Sequence, residues 1–180
     1  MIKIETINYF ELLDYQRKKM IAELDTYSEK QLLFKPKKDG WSMAQVIDHL
    51  YLVEKQAKNY IDNKLLEQKE NIPPTNWKSG FRKNILNIAL SLPFKFKIPT
   101  TLIQPNRNDY IQAKEDWARI RLEYKNLLHQ LDKDYFSKHL FKHPLVGKMA
   151  MLDMFKFLQV HAQHHSLQID RITHHPLFMK

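Results

Sequence analysis

Met151-Leu-Asp-Met154-Phe155-Lys-Phe157-Leu158-Gln-Val-His161-Ala-Gln-His164-His165-Ser-Leu-Gln168-Ile169-Asp-Arg171-Ile172 is the stretch whose periodicity decides how the chain folds. Met151, Met154, Phe155, Leu158, Ile169 and Ile172 recur at helical spacing, which predicts a helix with one face in a core. His161 and His165 sit in the same stripe. Four residues along a helix is a rise of about 6 Å, so both imidazoles leave the same face. They can converge on one metal ion at about 2.0–2.1 Å each. A polar ring buried without a partner costs about 1–3 kcal/mol. The alternative to a metal is therefore a hydrogen-bond partner for each ring.

Three further helical patterns lie upstream. The first spans roughly Glu5 to Asp25, with Ile7, Phe10, Leu13 and Leu24 on one face and Arg17 interrupting it, expected at an edge. The second runs from about Met43 to Gln68, with Ser42 as N-cap and Gln45 completing a capping box. The third begins with Asn108 or Asp109 as its cap, and Ala113, Trp117, Ile120, Tyr124, Leu127 and Leu131 form its core stripe. The quoted stretch belongs to the fourth, expected from about Met149 to Thr173. Between the second and third lies a long excursion, loop-like at Asn71–Gly80 and irregular from Pro93, with a short amphipathic helix expected at Phe81–Leu92. The pattern predicts one all-α domain over residues 1–180, a four-helix bundle with a long crossover between helices two and three.

His49 interrupts the stripe of the second helix as His161 and His165 interrupt that of the fourth. Three histidines fill three corners of a tetrahedral site and leave the fourth open, the arrangement of catalytic rather than structural zinc. With no cysteine in the chain, disulfides and thiolate ligands are excluded, and a metal must be held by His, Asp or Glu. No stretch approaches the roughly 18 apolar residues of a membrane span, and the N-terminus has no secretory pattern. These features suit a cytoplasmic protein. The net charge of +9 is uneven: Asn71 to Asn108 holds six basic residues and no acidic one. That segment suits an acidic small molecule, a nucleic acid or an anionic surface, but a lysine-rich solubilising surface explains it as well. No helix-turn-helix, zinc-finger or RNA-binding motif accompanies it, which argues against nucleic acid.

Several elements in order resemble the DinB-like superfamily of metal-binding four-helix bundles: Leu33-Phe34-Lys-Pro36, Gly40-Trp41-Ser42, His49-Leu50, His143-Pro144-Leu-Val-Gly147 and His161-x-x-His164-His165-x-x-Gln168-Ile169. The resemblance covers most of the chain. It implies a divalent-metal site between helices two and four, with His49, His161 and His165 as ligands, the residues that the periodicity also selects. Imidazole donors suit zinc or nickel, with iron or manganese also open, and the resemblance implies a small molecule as the substrate. It also implies a homodimer, since relatives are often dimers.

Two enzyme classes follow. In one, a transferase, the metal activates a low-molecular-weight thiol cofactor, and the basic crossover attracts it. In the other, a hydrolase, metal-bound hydroxide attacks the substrate. A non-enzymatic binding module with a basic face is the third reading. Gln45, Gln168, His164 and Glu54 are the residues expected to support or line the site, and Asp153 is a weaker candidate. His143 is expected to cap or orient the last helix, and His174 and His175 to be solvated.

Overall fold

The computed structural model describes residues 1–68, 71–74, 103–105, 107–143 and 147–178. Helix α1 spans Ile2–Leu24, a single-turn α2 spans Glu29–Leu32, and α3 spans Met43–Gln68. Helix α4 spans Tyr110–Gln130, and α5 spans Met151–Thr173. The four long helices form a ring in which α3 packs on α4 and α5, and α1 packs on the same two from the other side. Their shared core includes Phe10, Leu13, Ile47, Ile61, Trp117, Tyr124, Leu128, Phe155 and Leu158. Within it, the Phe10, Tyr124 and Phe155 rings meet with centroids 5.3–6.2 Å apart.

Local signals set the helix starts. Ser28 and Gln31 form a reciprocal capping box that opens α2. Ser42 and Gln45 do the same for α3, with both bonds at 3.2 Å. Asp109 caps α4 by accepting from the Gln112 backbone N–H. Asn108 instead accepts from the Ser42 hydroxyl, which ties the end of the crossover to the start of α3.

Four expectations are corrected. Helix α1 begins at Ile2 rather than Glu5. Arg17 is not an edge residue but is 9% exposed, its charge met by Asp14 at 2.8 Å. Met149 lies in a strand, and α5 starts two residues later. The all-helical expectation also omits a small hairpin, β1 (Phe141–His143) on β2 (Gly147–Met149), which follows a 3-10 turn at Lys133–Ser137. Three residues per strand are too few to show a period of two against the helical background. Gly147 has φ 86°, a conformation glycine tolerates better than other residues. The helix expected at Phe81–Leu92 lies outside the described residues.

Candidate metal centre

The two helices carrying the three histidines, α3 and α5, are neighbours in the ring. His49 sits in the second turn of α3, placed by the Ser42–Gln45 box one turn earlier. His161 and His165 face it from α5. The His161 Nε2 lies 3.3 Å from the His49 Nε2 and 3.1 Å from the His165 Nε2. One nitrogen from each ring fits within a 4.8 Å group. Two nitrogens bound to one tetrahedral zinc at about 2.05 Å lie about 3.3 Å apart, so the observed spacings match a shared ion.

Proton placement strengthens the case. The His49 Nδ1 lies 2.9 Å from the Ile103 carbonyl, which can only accept, so Nδ1 carries the proton. The His165 Nδ1 lies 2.8 Å from the Gln168 amide oxygen and is protonated for the same reason. In the neutral rings both Nε2 atoms then hold lone pairs, and both point at the Nε2 of His161. That atom can donate a proton to one of them at most. A divalent cation accepts all three lone pairs and resolves the conflict. The Ile103 carbonyl and Gln168 stand where orienting partners commonly stand behind histidines that bind a metal.

Burial keeps the rings neutral, as metal binding requires. It pushes His49 down to about 4, against which the Ile103 bond and nearby Asp48 act only partly. His165 is pushed down to about 3, first by burial and then by His49. His161 keeps part of its surface exposed, yet burial of its ring and the neighbouring imidazoles hold it well below the ordinary value. Aromatic rings wall the cluster. Trp41 stacks on His165 at 6.0 Å and 17°, and Phe157 stacks on His161 at 5.6 Å and 14°.

The other expected residues divide. Gln168 contacts a cluster ring. His164 is half-buried and meets His165 edge-on at 5.3 Å. Gln45 faces back to the Ser42 backbone as the cap partner. Glu54 is not beside the imidazoles in any contact: both its oxygens are held at 2.6 Å by Arg121 in a buried pair between α3 and α4. His143 occupies β1, buried against Phe157 at 4.6 Å. His174 and His175 are at the end of α5, outside the cluster.

Sequence reading missed Ile103 and Arg107. Ile103 acts through its backbone, so no side-chain pattern marks it. Arg107, four residues further on, is held to two helices: its Nε and Nη2 meet Asp48 at 3.0 and 2.8 Å, its Nη1 meets Asp116 at 2.8 Å, and its own N–H donates to Asp48. It is the one described member of the six basic crossover residues, and these two carboxylates engage its charge rather than leaving it for a cofactor.

No curated protein matches the chain. Among solved structures it is similar to YfiT from Bacillus subtilis, described as a probable metal-dependent hydrolase with an unusual four-helix bundle topology. That likeness has a TM-score of 0.57 at 19% identity and covers 95% of this chain and 85% of the other, and at this identity it speaks for the fold. The DinB superfamily profile matches residues 12–169, and with that match over most of its length, with the four-helix ring and with the three-histidine cluster, the chain belongs to the DinB superfamily.

Proposed function

We propose that this protein is a metal-dependent enzyme acting on a small molecule, with His49, His161 and His165 holding one divalent cation, zinc or nickel. The observation that carries this reading is the convergence of three Nε2 atoms, 3.1 and 3.3 Å apart, with the outer two rings' Nδ1–H groups already engaged. Imidazole donors suit both metals. A cation bound there supplies Lewis acidity, which lowers the pKa of a small nucleophile such as water or a thiol.

The chain's own residues prepare that chemistry. Ile103 and Gln168 fix the tautomers, and Trp41 and Phe157 hold the rings and exclude water from two sides. Two nucleophiles fit. The thiol reading, an S-transferase, is favoured by the aromatic surroundings: Glu54 and Asp48 are both engaged by arginines, and a thiol brings its own nucleophile without needing a carboxylate base. The hydrolase reading is favoured by the likeness to a protein described as a probable metal-dependent hydrolase. In both, the chain acts as one domain, and a homodimer in the cytoplasm is the setting that we assign to it.

The first test is metal content by mass spectrometry on untagged protein, beside His161→Ala and His165→Ala. Near one metal per chain, lost in both variants with helicity retained, supports the site. Turnover screens with bacterial thiols and with ester and amide substrates then separate transferase from hydrolase. No metal after reconstitution with zinc or nickel refutes the proposal.

A further inference from the structure

The outward face of α1 is less polar than a surface helix requires. Ile4, Leu12 and Tyr15 stand on it with 46–66% of their surface exposed. At about 100° per residue, these three lie within about 80° of one another around the helix, so they form one strip rather than scattered single residues. Helix α4 widens it. The Glu11–Lys125 and Asp25–Lys114 ion pairs, at 2.9 and 2.7 Å, set α4 antiparallel beside α1. Tyr15 lies one turn beyond Glu11, and Leu122 lies one turn from Lys125 in the same direction. Leu122, 58% exposed, therefore flanks Tyr15.

Charge along the strip is ordered. Glu5 and Lys19 lie seven residues to either side of Leu12, which is two turns along the same face. Both are exposed, and neither is held in an ion pair among the described residues, whereas Glu11 is held by Lys125 and Lys18 by Asp14. A two-fold axis at Leu12 exchanges positions 5 and 19. An antiparallel pair of α1 helices thus sets Glu5 of one copy opposite Lys19 of the other, twice, with Leu12 on Leu12 and Tyr15 near Asn8 at the centre. Parallel packing would set like charges together. Glu23, the remaining exposed charge on this side, falls opposite the start of the other copy's α1, the helix end that favours a carboxylate.

We propose that this strip is where a second copy of the chain docks, α1 antiparallel on α1 with α4 at the flank. The inference rests on the homodimer assigned above and goes beyond it by locating the interface. Two adjacent helices, each about 10 Å across and about 30 Å long, offer roughly 600 Å² per partner, the low end of specific interfaces. The dimer should therefore dissociate on dilution. Helix α1 packs on α4 and α5, across the ring from α3, so its outward face leaves the three histidines of each copy uncovered. Dimerisation and metal content are then separate readouts.

The test is sedimentation velocity of the metal-loaded chain over a dilution series, with metal content measured on the same samples. The parent should pass from dimer to monomer as it is diluted through the micromolar range. Lys19→Glu and Glu5→Lys should each weaken the dimer about tenfold or more, since the axis repeats every reversed contact. The double variant should recover most of that loss, a recovery that damage to the fold does not produce. The chain has no cysteine, so Leu12→Cys carries a single thiol, and a short bis-maleimide should join two copies through it. A parent that stays monomeric up to about 0.1 mM overturns the proposal and the homodimer with it, while a full metal complement leaves the metal reading standing. A dimer that ignores both charge reversals and is not joined through Leu12→Cys has its interface elsewhere, which overturns the proposal alone. Weakening in both single variants without recovery in the double also overturns it.

Discussion

Replacing Arg107 with alanine should weaken metal binding although the residue touches none of the three histidines. The guanidinium joins Asp48 on α3 to Asp116 on α4, and Asp48 is fully buried. Breaking a buried ion pair costs about 3–5 kcal/mol. Arg107 is itself 31% exposed, so water can reach part of the gap and the loss should fall to about 2–3 kcal/mol. The second effect is positional. Ile103 lies four residues before Arg107, and its carbonyl fixes the His49 tautomer. Freed from its anchor, that carbonyl orients the ring less well, and loss of such a partner typically lowers metal affinity 10–100-fold. Unmasking Asp48 beside His49 acts in the same direction. The carboxylate already favours the protonated ring, so protons compete better with the metal once the guanidinium is gone. Metal affinity, read by competition with a chromophoric chelator, should therefore fall more at pH 5 than at pH 8, since the His49 ring starts from about 4. Urea unfolding of the metal-free variant reports the stability term separately. Arg107→Lys, which keeps the charge but not the paired geometry, should fall between. Metal affinity within twofold of the parent at both pH values would refute this reasoning.

Other outcomes follow from the same contacts. Adding zinc or nickel should raise the unfolding temperature of the parent and leave that of His49→Ala unchanged, because a ligand stabilises only the fold that binds it. Glu54→Gln removes the charge facing the buried Arg121 and should destabilise by about 3–5 kcal/mol in urea titrations, and a loss below 1 kcal/mol would show the pair to be solvated. His143 is 8% exposed and is pushed by burial from 6.5 down to about 4. The fold therefore favours its neutral form. Its contribution is fully present above pH 6.5 and is lost as pH falls toward 4, on the order of 3 kcal/mol. In metal-free protein, a His143→Leu variant that folds should lose less stability than the parent between pH 7 and pH 4.5, and identical acid limbs would contradict the assignment.

Much of this protein was legible without its structure. The apolar spacing of α5, with imidazoles at His161 and His165, follows from local geometry: 3.6 residues per turn places residues four apart on one face whatever surrounds them. The Ser28–Gln31, Ser42–Gln45 and Asp109 caps are equally local, since each side chain reaches a backbone group only three residues away. His49 could be singled out because a polar residue in an apolar stripe shows in the sequence alone.

Long-range pairing was not legible. Glu54 was expected to support the metal site, yet it pairs with Arg121, 67 residues away on another helix. A charge enters a core only beside its counter-charge, and the partner depends on which helices become neighbours. The tautomers of His49 and His165 also divide on this line. Gln168 lies three residues from His165, within reach of sequence reasoning, whereas the acceptor for His49 is a backbone carbonyl 54 residues away. Sequence alone determined the helices and the three imidazoles. Tertiary packing decided that they meet at one point with their lone pairs converging, because that requires α3, α5 and the end of the crossover to be brought together in space.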